Sequence, residues 1–576
     1  MICLTINFKN KFLGINMKRT LKSVILPLLI TLLFGVVYFY FAIPAINIKS
    51  IELWIMVFLL IAVYLASYLL IYNRFTISEI IYFIASLFKK QNNKKRKKDN
   101  DIIVDSPKGD IPNWIKYVLI ALFATVCIIA VLCIFTSSKI FRAKAYQSML
   151  NVVESDFESD IAEIPFNQIP VVDKDTAERL GKRKIGEVVE LVSQFNVSNY
   201  YSQINYNGSP YRVSPLEYAG ILKWLSNRNE GIPYFVSINM ATQETKLVEL
   251  EEGIKYSPSE YFSRDLYRHI RFSYPTKMFE NLSFEVDDND NPYWVMSYYD
   301  YTFGIVGGKD ITGVILVDAV SGEMTDYKIN EVPQWIDQAY SPELLIEQAD
   351  NWGTYKNGFL NSIFVQKNVV KTTDGYNYIA LNDDVWLYTG ITSVVADESN
   401  IGFILINMRT KEARTYMING AEEYSAMESA QGQIQEKNYA ATFPILVNIA
   451  DKPTYFISLK DNAGLVKLYA FVSVAEYQIV GVSDTIEGAQ KEYLRLLYID
   501  DEDESDSEYF DRSGTVVKIA TAVVDGNSKY YIKLIDDETV YVADIKLWSG
   551  LPMLSVGDTV TFKADNQGNI SEFVFE

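Results

Sequence analysis

The sequence predicts an α+β protein with N-terminal transmembrane helices, tandem α+β modules outside the cytoplasm and a small C-terminal β-barrel. Three observations support this fold class. Three apolar runs lie within the first 138 residues, the later sequence alternates aliphatic and aromatic residues as strands do, and one hairpin-like pattern recurs 89 residues further on. With 576 residues, the chain is too long for one ordinary hydrophobic core, so several domains are expected.

The apolar runs cover residues 24–43, 51–72 and 117–136. Each is close to the roughly 20 residues that a helix needs to cross a bilayer. A cleaved signal peptide is the alternative for the first run, but its apolar stretch is too long and no small-residue cleavage site follows. Residues 1–138 are therefore predicted to be a membrane region with three transmembrane helices.

Basic residues near the spans predict their orientation, because Lys and Arg concentrate on the cytoplasmic side. They are dense in residues 9–22 and 89–98, whereas the loop between the first two spans carries only Lys49. We therefore expect a multi-pass protein of the cell membrane with its N-terminus in the cytoplasm and residues from about Lys139 onward outside. Residues 77–88 form either an interfacial helix or an extension of the second span, and Met1 or Met17 is the initiator.

Charge and cysteine content exclude several functions. Residues 1–138 have a net charge of +10 and residues 139–576 a net charge of −29. We call residues 139–576 the exodomain; its negative charge repels nucleic acid, so no nucleic-acid partner is expected. Cys3, Cys127 and Cys133 all lie in the membrane region, which leaves no disulfide or thiolate metal site outside it. Cys3 is absent if Met17 is the initiator.

His269 is the only histidine, in the run RDLYRHIRF. A G-x-S-x-G, S-x-x-K or H-E-x-x-H motif does not accompany it. A surface or hydrogen-bonded structural role is favoured over catalysis. The sequence therefore predicts no catalytic residue, no cofactor-binding residue, no metal ligand and no cofactor.

The exodomain is expected to contain several parts. A segment with the sequence DKDTAERLGKRKIGEVVELV, at 173–192, has helical periodicity after an Asp start, which indicates a helix packed on a sheet. The predicted order is a helical stalk at 139–160, a first α+β module at 161–279, a second module at 280–350, further α+β modules at 351–497, an acidic linker at 498–512 and the barrel at 513–576.

An internal repeat supports duplicated modules. The segment GVILVDAVSGEMTDYKI (313–329) aligns without gaps on GFILINMRTKEARTYMI (402–418), with Gly313 opposite Gly402. Both predict a strand, a tight turn and a second strand. Chance similarity between two hairpins is the alternative. Strands led by Pro and an aromatic residue recur at 233–238, 292–297 and 453–458.

The turn VDAVSGEM at 317–324, preceded by PYWV at 292–295, resembles the PepSY family of small extracytoplasmic modules. INMRTKEA at 406–413 matches less well. The resemblance implies a helix packed on an antiparallel sheet, and binding or inhibition in the cell envelope. The whole chain also resembles an uncharacterised group of bacterial membrane-anchored proteins, which implies architecture rather than chemistry.

Two acidic runs are interpreted as structural. Eight carboxylates within 498–512 indicate a solvated linker, and a calcium loop is the alternative, although the Gly and terminal Glu spacing of an EF-hand is missing. The run DDNDN at 287–291 is interpreted as a hairpin turn before the PYWV strand.

The C-terminal 64 residues fit five short strands, and VGDTVTF at 556–562 resembles the OB-fold pattern, a small barrel that often binds oligosaccharide or oligonucleotide. Its excess of acids over the five lysines Lys518, Lys529, Lys533, Lys546 and Lys563 disfavours a nucleic-acid groove. Four aromatic residues either stack on sugars or fill the barrel: Tyr530, Tyr531, Tyr541 and Trp548.

Two functions remain. The first is a non-enzymatic binding or regulatory protein of the bacterial envelope, with the lipid bilayer and another envelope protein or a cell-wall component as partners. The alternative is a carboxylate-dependent, glycosidase-like hydrolase, which needs neither His nor Cys. Two carboxylates about 5–10 Å apart in a deep pocket, one with a raised pKa, would favour the hydrolase.

Overall fold

The computed structural model describes residues 24–72, 113–163, 165, 168–393, 399–502, 510–524, 527–537, 539–548, 550–565 and 568–574. The chain divides into two compact units, residues 1–493 and 494–576. The described part contains helices and five β-sheets, so the α+β class is confirmed. Cys3, Met17, the basic runs at 9–22 and 89–98, and the segment 77–88 lie outside the described residues.

Apolar helices begin the first unit: α1 (Leu26–Ala42), α2 (Ile51–Tyr72) and α3 (Asn113–Ser137). Within the described residues, α2 and α3 each contain 21 residues long and apolar enough to cross a membrane, whereas α1 has only 17. Two of the three predicted spans therefore reach the expected length. Ile43 ends α1 in a left-handed conformation, since it precedes a proline that disfavours further helix.

The apolar helices pack against their neighbours in sequence. A Cβ atom on Gly35 of α1 would lie 3.1 Å from Leu60 of α2, so these helices approach closely. Leu65 and Leu69 of α2 form a buried cluster with Ile115 of α3. Most other large apolar side chains of the three helices face outward. An outer surface of this kind suits lipid rather than water.

One end of this bundle is attached to the rest of the unit. In the α1–α2 loop, the amide of Ile46 donates to the carbonyl of Pro275 at 2.7 Å. At the end of α3, the Ser137 hydroxyl accepts from the amides of Ile305 and Val306 at 3.0 and 3.1 Å. The α1–α2 loop and the C-terminus of α3 therefore lie on the same side of the bundle, next to residues 275–306.

The predicted helical stalk is not a continuous helix. Helix α4 (Lys139–Gln147) is followed by strand β1 (Val152–Glu154), which pairs in parallel with residues Ala413–Tyr416. Leu150 lies between them and is buried in the core. The expectation of a helix across residues 139–160 is wrong because Leu150 is buried in the core and the β-branched residues Val152 and Val153 join a sheet. A short helix, α5 (Phe157–Asp160), completes the segment.

From residue 174 onward, one arrangement occurs four times in the described chain: a helix, then an antiparallel meander with its strands side by side in chain order. In modules I, III and IV, two short strands share the first position of the sheet. Module I contains α6 (Lys174–Gly186), α7 (Val189–Val192), β2 (Phe195–Val197), β3 (Ser202–Tyr206), β4 (Ser209–Tyr218), α8 (Ile221–Asn227), β5 (Ile232–Asn239) and β6 (Thr245–Ile254). Module II contains α9 (Leu266–Ser273), β7 (Met278–Val286), β8 (Pro292–Phe303), β9 (Gly307–Asp318) and β10 (Met324–Lys328).

Modules III and IV follow the same plan. Module III contains α10 (Pro342–Thr354), β11 (Val370–Thr372), β12 (Asn377–Leu381), β13 (Asp384–Ser393), β14 (Ser399–Asn407), β15 (Ala413–Tyr416) and β16 (Gly420–Ala421). Module IV contains α11 (Glu423–Gly432), β17 (Ala440–Ala441), β18 (Ile445–Ile449), β19 (Lys452–Lys460), β20 (Val466–Ser473) and β21 (Val480–Ser483). The helix predicted at 173–192 is α6 and α7, which are separated after Gly186. The acidic run 287–291 is the turn between β7 and β8, as predicted.

Modules I, II and III share one turn, which joins the strands at the third and fourth positions of each sheet: β5 to β6, β9 to β10 and β14 to β15. The side chains of Asn239, Asp318 and Asn407 each accept hydrogen bonds of 2.8–3.0 Å from the amides two and three residues later. The fifth residue of each turn has a positive φ; these residues are Gln243, Gly322 and Lys411. An Asn or Asp that binds its own turn in this way is the physical basis of the repeated sequence pattern.

The hairpin prediction for 313–329 and 402–418 is confirmed. Val314 pairs with Tyr327, and Phe403 pairs with Tyr416 in the same register. A Cβ atom on Gly313 would lie 2.3 Å from the carbonyl oxygen of Tyr327, and one on Gly402 would lie 2.5 Å from that of Tyr416. The two glycines therefore hold equivalent sites where only a hydrogen atom fits.

Helices lie between adjacent sheets. Leu345 of α10 shares a buried core with Val314 of module II and Ile404 of module III. Ala426 of α11 lies in a second core, between the other face of the module III sheet and the module IV sheet. Both faces of the module III sheet are thereby buried.

Module I contacts both module II and module IV. Phe235 packs on Phe284 of module II with ring centroids 6.0 Å apart. Before α6, Asp173 accepts a hydrogen bond of 2.5 Å from Lys460 of module IV. The four modules therefore form a closed ring.

The second unit contains β22 (Phe510–Val524), β23 (Asn527–Leu534), β24 (Val540–Asp544), β25 (Thr559–Ala564) and β26 (Ile570–Val574), and it begins within α12 (Ile486–Glu502). The five strands confirm the sequence prediction, but the sheet is open, in the order β24-β23-β22-β25-β26. A single parallel bridge, Val542 to Asn569, joins its edges in the described residues. In the acidic segment 498–512, the chain is helical up to Glu502 and extended from Phe510, and residues 503–509, the centre of the predicted linker, lie outside the described residues.

Candidate functional site

A cavity of about 530 Å³ lies where all four modules meet. The first strand of each module, or the residues beside it, contributes to the wall. The lining residues include Tyr201 and Ser202 of module I, Asn281 to Ser283 of module II, Tyr376 to Tyr378 of module III, and Thr442 and Phe443 just before β18 of module IV. No single module could form this site.

Hydrogen bonds between modules hold the wall together. The Asn377 side chain donates to the Phe443 carbonyl at 3.0 Å, which joins module III to module IV. The Gln338 side chain donates to the Gln203 carbonyl at 2.9 Å, which joins the segment before α10 to module I. The shape of the cavity thus depends on the closed ring.

Arg212 provides a buried positive charge at this cavity. Arg212 is only 5% exposed, and its guanidinium donates hydrogen bonds to the Val172 carbonyl and to Gln203 Oε1, both at 3.3 Å. Within the described residues, Arg212 forms no ion pair within 4.0 Å. Burial lowers the pKa of Arg212 from its ordinary value, but a guanidinium stays protonated in proteins. A buried cation without a bound carboxylate is costly unless a ligand supplies the anion.

Two tyrosines lie near Arg212. The rings of Tyr376 and Tyr378 are 5.7 Å apart and edge to face. Burial raises the pKa of both hydroxyls, and Glu343 raises the pKa of Tyr376 further. Both phenols are therefore protonated at neutral pH and can donate or accept hydrogen bonds.

Asp173 lies on the cavity wall and also closes the ring. Its carboxylate caps α6 by accepting from the amide of Thr176 at 2.9 Å and binds Lys460 at 2.5 Å. Burial alone would raise the pKa of Asp173, but the hydrogen bonds from Lys460 and Thr176 lower it overall. Its charge is already neutralised by Lys460. Two further carboxylates, Asp175 and Glu343, also line the cavity.

A pair of buried acids lies behind the wall, next to Ser283 and Gln338. Glu285 accepts hydrogen bonds from the amides of Asp337 and Gln338 at 2.8 and 3.2 Å, and from the Ser283 hydroxyl at 2.8 Å. Burial raises the pKa of Glu285 to about 7 and, together with the charge of Glu285, raises the pKa of Asp337 well above its ordinary value. The carboxyls with the strongly raised pKa are therefore not on the cavity wall. Within the described residues, the pair of carboxyls that would favour a hydrolase, one of them with a raised pKa, is therefore not found on the cavity wall.

The residues singled out from the sequence lie elsewhere. His269 Nε2 is 2.8 Å from the Gly322 carbonyl and its ring is 4.5 Å from that of Tyr256, so it is a hydrogen-bonded structural residue, as predicted. Cys127 and Cys133 lie on α3 as free thiols. No group of three or more His, Cys, Asp or Glu residues suited to a metal ion occurs in the described ranges.

Aromatic residues of the second unit fill its core. Tyr530 and Tyr541 are 8% and 2% exposed. Trp548 packs on Phe573 with centroids 5.2 Å apart. Of the two interpretations of these aromatic residues, core packing applies to Tyr530 and Tyr541.

The sequence did not reveal Arg212. The Asn207-Gly208 turn fixes the β3–β4 hairpin and places Arg212 on the same face as Ser214 and Leu216. The available signal was a charged residue on a strand face whose other residues are buried, which indicates a buried charge. It could not be used without knowing that both faces of β4 are covered, one partly by α6 of module I and the other by module II.

No family model matches the chain, and no curated protein matches it. Among solved structures, a levansucrase variant complexed with sucrose is 9% identical, with 71% of this chain and 91% of that chain covered and a TM-score of 0.15. Two structures of levansucrase mutants from Bacillus subtilis are each 10% identical, with 76% of this chain and 95% or 94% of theirs covered and TM-scores of 0.15. A TM-score of 0.15 does not support a shared fold, and we draw nothing from it about fold, substrate or activity.

Proposed function

We propose that the protein is a membrane-anchored binding protein of the bacterial cell envelope, and that its central cavity holds a polar ligand with an anionic group. A carboxylate-bearing fragment of the cell wall, such as a disaccharide peptide, has this chemistry. The observation that carries the proposal is the buried Arg212 without an ion pair at the junction of four modules.

The chemistry around Arg212 supports a ligand with both an anion and hydroxyl groups. A guanidinium prefers carboxylate or phosphate oxygens and binds them in a bidentate manner. Tyr376 and Tyr378 supply two phenols, and Asn199, Asn281 and Asn377 supply amides along the wall. Polar groups converging in a cavity with aromatic walls are typical of small-molecule sites.

The proposed location is the cell membrane, with α1 to α3 as spans and the ring of modules outside the cytoplasm. The α1–α2 loop and the end of α3 lie on one side of the bundle, beside module II. In the sequence, the basic run 9–22 precedes α1 and the basic run 89–98 lies between α2 and α3. Lys and Arg mark the cytoplasmic side, so the modules are extracytoplasmic.

Two finer assignments belong to the same proposal. Modules II and III are PepSY-like, which is supported by a helix before each antiparallel sheet and by their common turn. The second unit is OB-like, which is supported by a partly open five-stranded sheet whose edges approach at Val542 and Asn569.

The carboxylate-dependent hydrolase is the weaker candidate. Asp175 and Glu343 line the cavity, but Glu285 and Asp337, the nearby acids whose pKa burial raises, are covered by the wall. Chromatography of the wall fragment after incubation with the protein would reveal cleavage. Cleavage that is lost in Glu343→Gln would replace the binding proposal by the hydrolase.

Calorimetric titration of the full chain in lipid nanodiscs tests the binding proposal. The probe is a purified disaccharide tetrapeptide, and the neutral disaccharide N,N′-diacetylchitobiose is the comparison. We expect Arg212→Gln to weaken binding of the peptide-bearing probe by about tenfold to a hundredfold, because a hydrogen bond to a charged group is lost. Arg183→Gln, the same change on the exposed face of α6, should leave affinity unchanged. Equal affinities of the wild type and Arg212→Gln would overturn the proposal.

A further inference from the structure

The membrane-facing end of the unit carries exposed apolar residues that do not belong to the predicted spans. Helix α8 exposes Ile221, Leu222 and Leu225 at 50%, 72% and 49%. Phe262, in the loop before α9, is 62% exposed. We call these four residues the α8–Phe262 surface.

A buried residue of α8 anchors the α8–Phe262 surface to the core. Trp224 of α8 is 4% exposed, and its indole donates to Glu260 at 2.6 Å. Tyr218 donates to the same carboxylate at 3.0 Å. The rings of Trp224 and Phe262 are 5.8 Å apart. Trp224 thus occupies the inner side of α8, and Leu222 and Leu225 lie on its outer side.

The surface is connected to the last turn of α1. The guanidinium of Arg268 donates to the carbonyl of Tyr40 at 3.2 Å and to the carbonyl of Phe262 at 2.6 Å. It also lies 4.5 Å from the centre of the Tyr40 ring. Nearby, Phe272 packs on Phe39 of α1 with centroids 5.6 Å apart. Phe262 thus lies beside the C-terminal end of α1.

Cations surround the apolar residues. Lys223 is on α8, Arg228 stacks on Trp224 at 5.5 Å, and Arg264 donates to the Arg228 carbonyl at 2.5 Å. Glu230, Glu260 and Asp265 are the acids in the same segments; Glu260 is buried against Trp224, and Asp265 accepts a hydrogen bond from the backbone amide of Arg268. An apolar, aromatic surface bordered by Lys and Arg suits the boundary between acyl chains and anionic headgroups. The rest of the exodomain is strongly acidic, so this basic border is a local feature.

We propose that the α8–Phe262 surface enters the headgroup region of an anionic lipid bilayer beside α1. The proposal rests on the membrane placement of α1 to α3. It adds a second contact with the bilayer, made by module I and the loop before module II rather than by a span. This contact would fix the height of the central cavity above the membrane.

The test uses the full chain in liposomes that contain phosphatidylglycerol, without any other protein. All native cysteines are replaced by alanine, and one cysteine labelled with the fluorophore NBD is placed at Leu222→Cys or, separately, at Phe262→Cys. Leu59→Cys on α2 is the lipid reference. Met417→Cys, at a 58% exposed residue after β15, is the water reference.

We expect both labels on the α8–Phe262 surface to show blue-shifted emission and to lose fluorescence with lipids that carry a doxyl group near the headgroup. The Met417 label should instead be quenched by aqueous iodide. If Leu59 reports lipid while Leu222 and Phe262 both report water, the proposal is overturned and the membrane anchor stands. Protection of these labels only in native membranes would indicate a protein partner and would also overturn it. A Leu59 label in water would contradict the membrane placement itself.

Discussion

Replacing Asp337 by Asn should remove a pH-dependent loss in the free energy of unfolding. Asp337 is 1% exposed, accepts a hydrogen bond of 2.7 Å from the Asn205 amide, and leaves Oδ1 without a partner in the described residues. Its neighbour Glu285 is fully buried and accepts three hydrogen bonds. We therefore expect Asp337 to hold its proton to higher pH than Glu285, because burial and the Glu285 charge both raise the pKa of Asp337, whereas the three hydrogen bonds to Glu285 oppose the rise of its own pKa.

The sign of the effect follows from the raised pKa of Asp337. Between the unfolded pKa, near 4, and the raised folded pKa, the folded state holds a proton that the unfolded state has released. The free energy of unfolding therefore falls as pH rises through this interval, by up to about 1.4 kcal/mol per pH unit for one group. From pH 5 to 7 the fall is at most about 2–3 kcal/mol, the limit for one carboxyl that keeps its proton across the whole interval in the folded state. Asp337→Asn keeps the acceptor for Asn205 and abolishes this contribution.

The assay is urea unfolding of the full chain in detergent, followed by tryptophan fluorescence at pH 5, 6 and 7. We expect the wild type to lose stability with rising pH relative to Asp337→Asn. Asp288→Asn, the same substitution at an exposed turn residue, should keep the wild-type slope. Parallel pH profiles for the wild type and Asp337→Asn would mean that Asp337 is ionised when folded, and would refute the buried-proton reasoning.

Four further outcomes are expected. Gly313→Ala and Gly402→Ala should each lower the midpoint of thermal unfolding by similar amounts, because either Cβ would meet a backbone carbonyl oxygen; a loss at only one glycine would contradict their equivalence. His269→Ala should leave cellular function intact in a complementation assay, and a null phenotype with folded, correctly localised protein would reopen the search for catalysis. Reporters fused after Ser138 should be active only in the extracytoplasmic form, so cytoplasmic activity alone would exclude the proposed orientation. Residues 494–576, expressed alone, should unfold cooperatively in calorimetry, and a trace without a transition would count against an independent unit.

Local sequence patterns predicted the local elements well. Asp173 marked the start of α6, the run 287–291 marked a turn, and the alignment of 313–329 on 402–418 gave the register of two hairpins. Each of these features depends on residues close together in the chain. Capping, turn chemistry and alternation are therefore enough to predict them.

The failures concern contacts between distant segments. Residues 139–160 were predicted as one helix, but Val152 pairs with Ala413 in a sheet formed much later in the chain. The repeat was recognised in two hairpins, whereas all four modules share one strand order. Modules I and IV keep this topology without the aligned segment, because many apolar residues satisfy the same alternation.

The candidate site was not predicted because it belongs to no single segment. Arg212, Tyr376 and Phe443 come from three modules and meet only when Asp173 and Lys460 close the ring. Local catalytic motifs could not lead to it, and for His269 the structure shows the hydrogen bond to the Gly322 carbonyl that a structural role would need. Local sequence patterns give no means of finding a cavity assembled by the packing of sheets.

The central claim is that one ligand contacts all four modules in the cavity. Hydrogen exchange of the full chain in nanodiscs, with and without the disaccharide tetrapeptide, tests it most directly. We predict slower amide exchange at once in 199–203, 281–283, 376–378 and 442–443, and no such change in Arg212→Gln. Unchanged exchange in these four segments at a probe concentration that saturates binding, or protection confined to the second unit, would contradict the account.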